Sequence, residues 1–84
     1  LIESSNWVFS ARARRDLRGL VPPSQRRVVS ALDHLTGDPP QGEVTRLPGL
    51  PDEWRLRVGD WQVRFTRDPE SRRVEVLGIL ARRS

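Results

Sequence analysis

The sequence has 84 residues, with 15 basic and 11 acidic side chains and a formal net charge of +4. A chain this short makes one domain over residues 1–84 and buries only roughly 60–65% of the surface it would expose unfolded. It has no cysteine, which excludes disulfides and thiolate chemistry, its single histidine speaks against a structural zinc, and no apolar run approaches the ~20 residues of a membrane span. No metal site, cofactor or membrane contact is therefore expected. With no secretion signal visible, a cytoplasmic location is the default expectation. All basic residues are arginine. A codon bias explains the global preference, but not where the arginines sit. The guanidinium is a planar, permanently charged fork suited to phosphate and carboxylate, so an anionic partner is expected: nucleic acid or an acidic protein segment.

Residues 1–5 carry no pattern and are expected to be disordered or processed. Residues 6–10 read as a short strand with Trp7 and Phe9 on one face. Ser10 offers an N-cap for a helix over 11–20, whose apolar stripe is Ala13, Leu17 and Leu20. Pro22 and Pro23 force a turn. A second helix then runs from Pro23 or Ser24 to Thr36, with Val28, Val29, Leu32 and Leu35 on its apolar side. Gly37 suits the position after the helix, and Pro39–Pro40 stop it. So short a connection predicts an antiparallel αα-hairpin. Residues 41–53 read as a loop, in which 44–47 can add a short edge strand. Strands follow over 54–58, 61–66 and 74–81, with a reversal over 67–73. There are no internal repeats.

The two-residue Gly59-Asp60 connection suits a type II′ turn and fixes a register. Val58 then faces Trp61, Arg57 faces Gln62, Leu56 faces Val63, Arg55 faces Arg64 and Trp54 faces Phe65. One face holds Trp54, Leu56, Val58, Trp61, Val63 and Phe65, and must pack on the helices. The other holds Arg55, Arg57, Gln62 and Arg64, with no acid expected among them. Arg55 and Arg64 stand opposite each other, where like charges destabilise. Such a face fits a polyanion. The simpler alternative is a solvated face that happens to be arginine-rich. Arg82 and Arg83, after the last strand, come near the same face if the terminal strands pair.

This pattern resembles the RelE/ParE superfamily of type II toxins. The resemblance spans about Trp7 to Arg83. Its specific part is Leu47-Pro48-Gly49-Leu50-Pro51-Asp52-Glu53-Trp54-Arg55-Leu56-Arg57-Val58-Gly59-Asp60-Trp61-Gln62-Val63-Arg64-Phe65. The opening stretch from Trp7 to Leu17 and the final strand running into Arg82-Arg83 also look like the family. The resemblance implies an α+β fold of order β-α-α-β-β-β, with the αα-hairpin on one face of a small antiparallel sheet. It implies a toxin that cleaves messenger RNA on the ribosome, using the 2′-hydroxyl as nucleophile while basic residues hold the phosphate. Arg55, Arg57 and Arg83 match the family's basic positions and, with Arg64 on the same face as a geometric substitute, are the expected catalytic residues. Arg82, where many members have histidine or lysine, Gln62 and Glu53 are the expected substrate-binding residues, Glu53 from its place in the loop just before the hairpin, as a rim carboxylate and candidate base. It further implies an acidic cognate antitoxin that orders on binding, and the ribosome with its message as target.

Three departures leave alternatives open. Gln62 stands where the family usually has arginine, and Arg64 is the geometric substitute. The sequence has no tyrosine, whereas many RelE-like members carry one beyond the last arginine. It also lacks lysine, and arginine is a poor proton acceptor. The alternatives are a ParE-like inhibitor of DNA gyrase without catalysis, or an inactive RelE-fold protein that binds an antitoxin or RNA. His34 reads as a residue at a helix C-terminus, Asp60 as a turn residue, and Trp54 and Trp61 as core rather than base-stacking platforms. Arg12, Arg14, Arg15 and Arg18 form a basic helix face, a candidate antitoxin surface or a plain solvated one.

Overall fold

Ser10 decides where the first helix begins. Its Oγ accepts from the Ala13 amide at 3.1 Å and donates to the Leu77 carbonyl at 3.2 Å. One hydroxyl thus caps the helix and pins it to the last strand. The computed structural model describes residues 6–46, 49 and 52–81. Its elements are β1 (Trp7–Phe9), α1 (Ala11–Arg18), α2 (Pro22–Leu35), β2 (Glu43–Arg46), β3 (Glu53–Val58), β4 (Trp61–Arg67) and β5 (Val74–Ala81). The strands form one sheet in the order β1-β5-β4-β3-β2.

The α+β class and the packing of helices on one sheet face are as expected. The sheet is mixed, however: β1 pairs parallel with β5, and every other pair is antiparallel. A three-residue strand shows which face is apolar but not which neighbour it takes or in which direction. The edge strand hinted at in the loop is present as β2, one residue earlier than its expected start. Expectations for residues 1–5, Leu47, Pro48, Leu50, Pro51, Arg82 and Arg83 lie outside the described residues.

The second helix starts at Pro22, with prolines in its first two positions, where the lost N–H groups have no helical partner anyway. Its end is held by Thr36, whose Oγ1 donates to the Leu32 carbonyl at 2.8 Å. Gly37 follows without left-handed backbone, and its amide donates to His34 O at 3.2 Å. Gln25 Nε2 on α2 donates to Leu17 O on α1 at 2.9 Å and ties the helices. Trp7 Nε1 donates to Asp33 Oδ1 at 2.9 Å and ties β1 to α2.

The expected apolar stripes meet in a single core. Ala13, Leu17 and Leu20 come from the first helix and its exit, Val28, Leu32 and Leu35 from α2, and Trp7 and Phe9 from β1. The sheet adds Leu56, Val58, Val63, Phe65, Val74, Val76 and Ile79. Trp54 and Trp61 are partly buried against this cluster, as their register requires. Between Arg64 and Phe65 the β4–β5 register shifts, leaving Leu77 without an opposite number. Next to that bulge, Asp16 Oδ2 on α1 accepts from the Ile79 amide at 3.0 Å.

Candidate functional site

The hairpin register is the expected one at all five positions, from Val58 opposite Trp61 to Trp54 opposite Phe65. Gly59 takes φ +59° while Asp60 stays off the left-handed side, the pattern of a type II′ turn. Alternation then sends Arg55, Arg57, Gln62 and Arg64 to the face away from the helices. The ladder continues through Glu53 opposite Thr66, so Glu53 is the first residue of β3 rather than a loop residue.

That placement changes the electrostatics. Arg64 lies diagonally across from Glu53, and its Nε donates to Glu53 Oε2 at 2.5 Å. Their side chains are 32% and 14% exposed, so the pair is largely covered. The Arg64 hydrogen bond holds the Glu53 carboxyl below its usual pKa, against the opposing effect of burial and with help from the charges of Arg64 and Arg55. The same hydrogen bond raises the Arg64 guanidinium. A second acid comes from the edge strand. Glu43 on β2 sits opposite Arg57, and the two side chains approach to 3.5 Å. This pair is exposed, 45% for Arg57 and 74% for Glu43, and holds weakly. Glu75 on β5, opposite Thr66, is exposed on the same face.

The expectation that no acid lies among the arginines is therefore corrected. Among the described residues, Arg55, Arg57 and Arg64 share this face with Glu43, Glu53 and Glu75. Glu53 was legible as a nearby carboxylate, but its position in the ladder was not. Glu43 was missed because a register for β2 is needed to see it. The signal available in the sequence was an acid within reach of an edge strand facing unpaired arginines.

Arg55 differs from its neighbours. It stands directly opposite Arg64 on one side and Thr45 on the other. Its Nε is covered from solvent and has no hydrogen-bond partner. Among the described residues this N–H meets no acceptor, which is uncommon for a buried guanidinium. Gln62 lies between Arg57 and Leu80 and is partly buried. Arg82 and Arg83 fall outside the described residues. His34 Nδ1 donates to Ser30 O at 2.8 Å on the exposed surface of α2, on the helix side of the sheet. Arg12, Arg15 and Arg18 on α1 are exposed. No group of three or more metal-ligating side chains occurs among the described residues. No described helix is long and apolar enough to cross a membrane.

Comparison with known proteins places this geometry. A family model described as the ParE toxin of the type II toxin–antitoxin system matches residues 8–84. No curated protein matches the chain. Among solved structures, the chain is similar to an archaeal RelE–RelB complex from Pyrococcus horikoshii OT3, with TM-score 0.76 and 22% identity over 92% of this chain and 93% of that one. It is similar to a RelB–RelE antitoxin–toxin complex from Methanococcus jannaschii, with TM-score 0.73 and 13% identity over 88% of each. It is also similar to the RelBE2 toxin–antitoxin complex from Mycobacterium tuberculosis, with TM-score 0.62 and 26% identity over 92% of this chain and 96% of that one. A family match over nearly the whole chain, on a RelE-like fold, makes this protein a member of the RelE/ParE superfamily, a toxin of a type II toxin–antitoxin system.

Proposed function

We propose that the toxin acts on translation in the RelE manner, its outer sheet face holding the phosphodiester of a ribosome-bound message for cleavage. The observation that supports this most is the Arg55–Arg64 cross-strand pair, with the Arg55 Nε covered and lacking an acceptor among the described residues. A phosphate oxygen supplies an acceptor once the Arg55 side chain turns to present its guanidinium edge. When the neighbouring 2′-oxygen attacks phosphorus and the bond to the 5′-oxygen breaks, negative charge grows on the non-bridging oxygens. Guanidiniums already placed against them stabilise that charge without reorganising. Arginine does not accept protons, so the assignment for Arg55, Arg57, Arg64 and Arg83 is phosphate holding and charge stabilisation, not proton transfer. Arg82, Gln62 and Glu53 line the rim in this reading. The partner that keeps the toxin silent is an antitoxin with an acidic segment. The similar structures, themselves toxin–antitoxin complexes, support this, as do the exposed Arg12, Arg15 and Arg18 on α1.

One observation favours a second reading, the ParE-like inhibition of DNA gyrase by binding alone. The Arg64 guanidinium already carries a carboxylate of its own chain, and no imidazole or amine stands on the described face to accept a proton.

The test is a translating extract supplied with purified toxin, read by mapping cuts in the message, beside a gyrase supercoiling assay. Cleavage that falls on the order of 10²-fold in Arg55→Ala, with the antitoxin complex inert, is the expected result. Intact message together with blocked supercoiling establishes the second reading instead.

A further inference from the structure

Glu53 does more than neutralise a neighbour. It lies beside two guanidiniums on adjacent strands: Arg64 on the diagonal, bonded at 2.5 Å, and Arg55 two residues along its own strand, felt through its charge. A carboxylate bound to a guanidinium presents the same kind of anionic oxygen that a phosphate would. We infer that Glu53 is a resident competitor for the Arg55–Arg64 site, a specificity-determining residue that any nucleic-acid phosphate must displace to bind there. The inference rests on the nucleic-acid reading of this face.

The consequence is a threshold. An isolated phosphate gains Arg64 only by breaking a mostly covered ion pair, and then lies beside a freed negative charge. A strand that also engages Arg57 and Arg55 gains enough additional contact to do so. Arg57 is easier to recruit, because its partner Glu43 is mainly solvated. Glu53 thus biases the toxin against scattered phosphates of free RNA and toward targets presenting several in register. A purely structural role is the competing explanation, since Glu53 also offsets the repulsion between Arg55 and Arg64.

Binding of a fluorescent 2′-O-methyl RNA oligonucleotide, which cannot be cleaved through its 2′-position, separates the two. Anisotropy titrations between about 50 and 200 mM salt are run on wild type, Glu53→Gln and Glu43→Gln. Glu53→Gln is expected to tighten binding on the order of fivefold at low salt and to steepen the logarithmic salt slope by about 0.7, one further phosphate contact. Glu43→Gln removes the same charge from the same face and is expected to change affinity by less than about twofold. Equal gains in both variants reduce the effect to net charge and overturn the inference. Salt-dependent binding by wild type that Glu53→Gln leaves unaltered also overturns it, while the nucleic-acid reading stands. Binding by neither protein sinks both. Thermal unfolding verifies that each variant is folded, and Glu53→Thr, a strand-favouring replacement, serves if the glutamine variant is not.

Discussion

At the scale of single residues, protonation and backbone strain each give a measurable consequence. Glu53 has a folded-state pKa below its ordinary 4.5, chiefly through the Arg64 hydrogen bond. A depressed carboxyl stabilises the fold above its unfolded pKa, and that contribution disappears as pH falls through the folded value. Glu53→Gln is therefore expected to be less stable than wild type by on the order of 1 kcal/mol near neutrality, with the difference closing as the pH falls below 4.5. Urea unfolding at several pH values measures this, and a gap that persists in strong acid rejects the ion pair as its source. Arg72 gives the second consequence. It closes the β4–β5 turn at φ +63°, where a side chain is strained and glycine is not. The turn is otherwise well held: Asp68 Oδ1 accepts from the Glu70 and Ser71 amides, and the Arg72 amide donates to Asp68 O at 2.7 Å. Arg72→Gly is expected to gain about 1 kcal/mol and raise Tm by several degrees. An unchanged or lower Tm means the strain is not there to release.

At the scale of elements, local chemistry decided what could be read in advance. The β3–β4 hairpin was legible to the residue because a two-residue turn leaves one register, and six apolar side chains on one face agree with it. Both helices were legible from their stripes, and α1 from its Ser10 cap as well. The partner of β1 was not, since Trp7 and Phe9 would be equally buried against a strand running either way. Nor was Glu43 opposite Arg57, because all four residues of β2 are exposed and no apolar pattern sets their pairing. Arg55, Arg57 and Arg64 were placed on one face from alternation alone; their counter-ions needed the neighbouring strands. Asp16 shows the same limit. Its sequence context is a helix surface, yet its carboxylate accepts the Ile79 amide beside the β5 bulge. Asp16→Ala is expected to lose about 1–3 kcal/mol by stranding that amide, and Asp16→Asn, which keeps an acceptor oxygen, to recover most of the loss. Chemical denaturation measures both, and equal losses would show that the charge matters rather than the hydrogen bond.

At the scale of the whole molecule, opposite faces of the sheet serve different ends. The inner face supplies more than half of the buried core, and among the described residues the outer face gathers three arginines and three glutamates. The order of the strands adds a temporal element. The final strand, β5, is inserted between β1 and β4, so the first strand can dock only on the last. Until β5 has left the ribosome, β1 has no strand to pair with and α1 lacks the strand to which Ser10 and Asp16 anchor it. A copy whose synthesis stops short of β5 therefore lacks the strand that joins β1 to the rest of the sheet, and the fold closes only when β5 arrives.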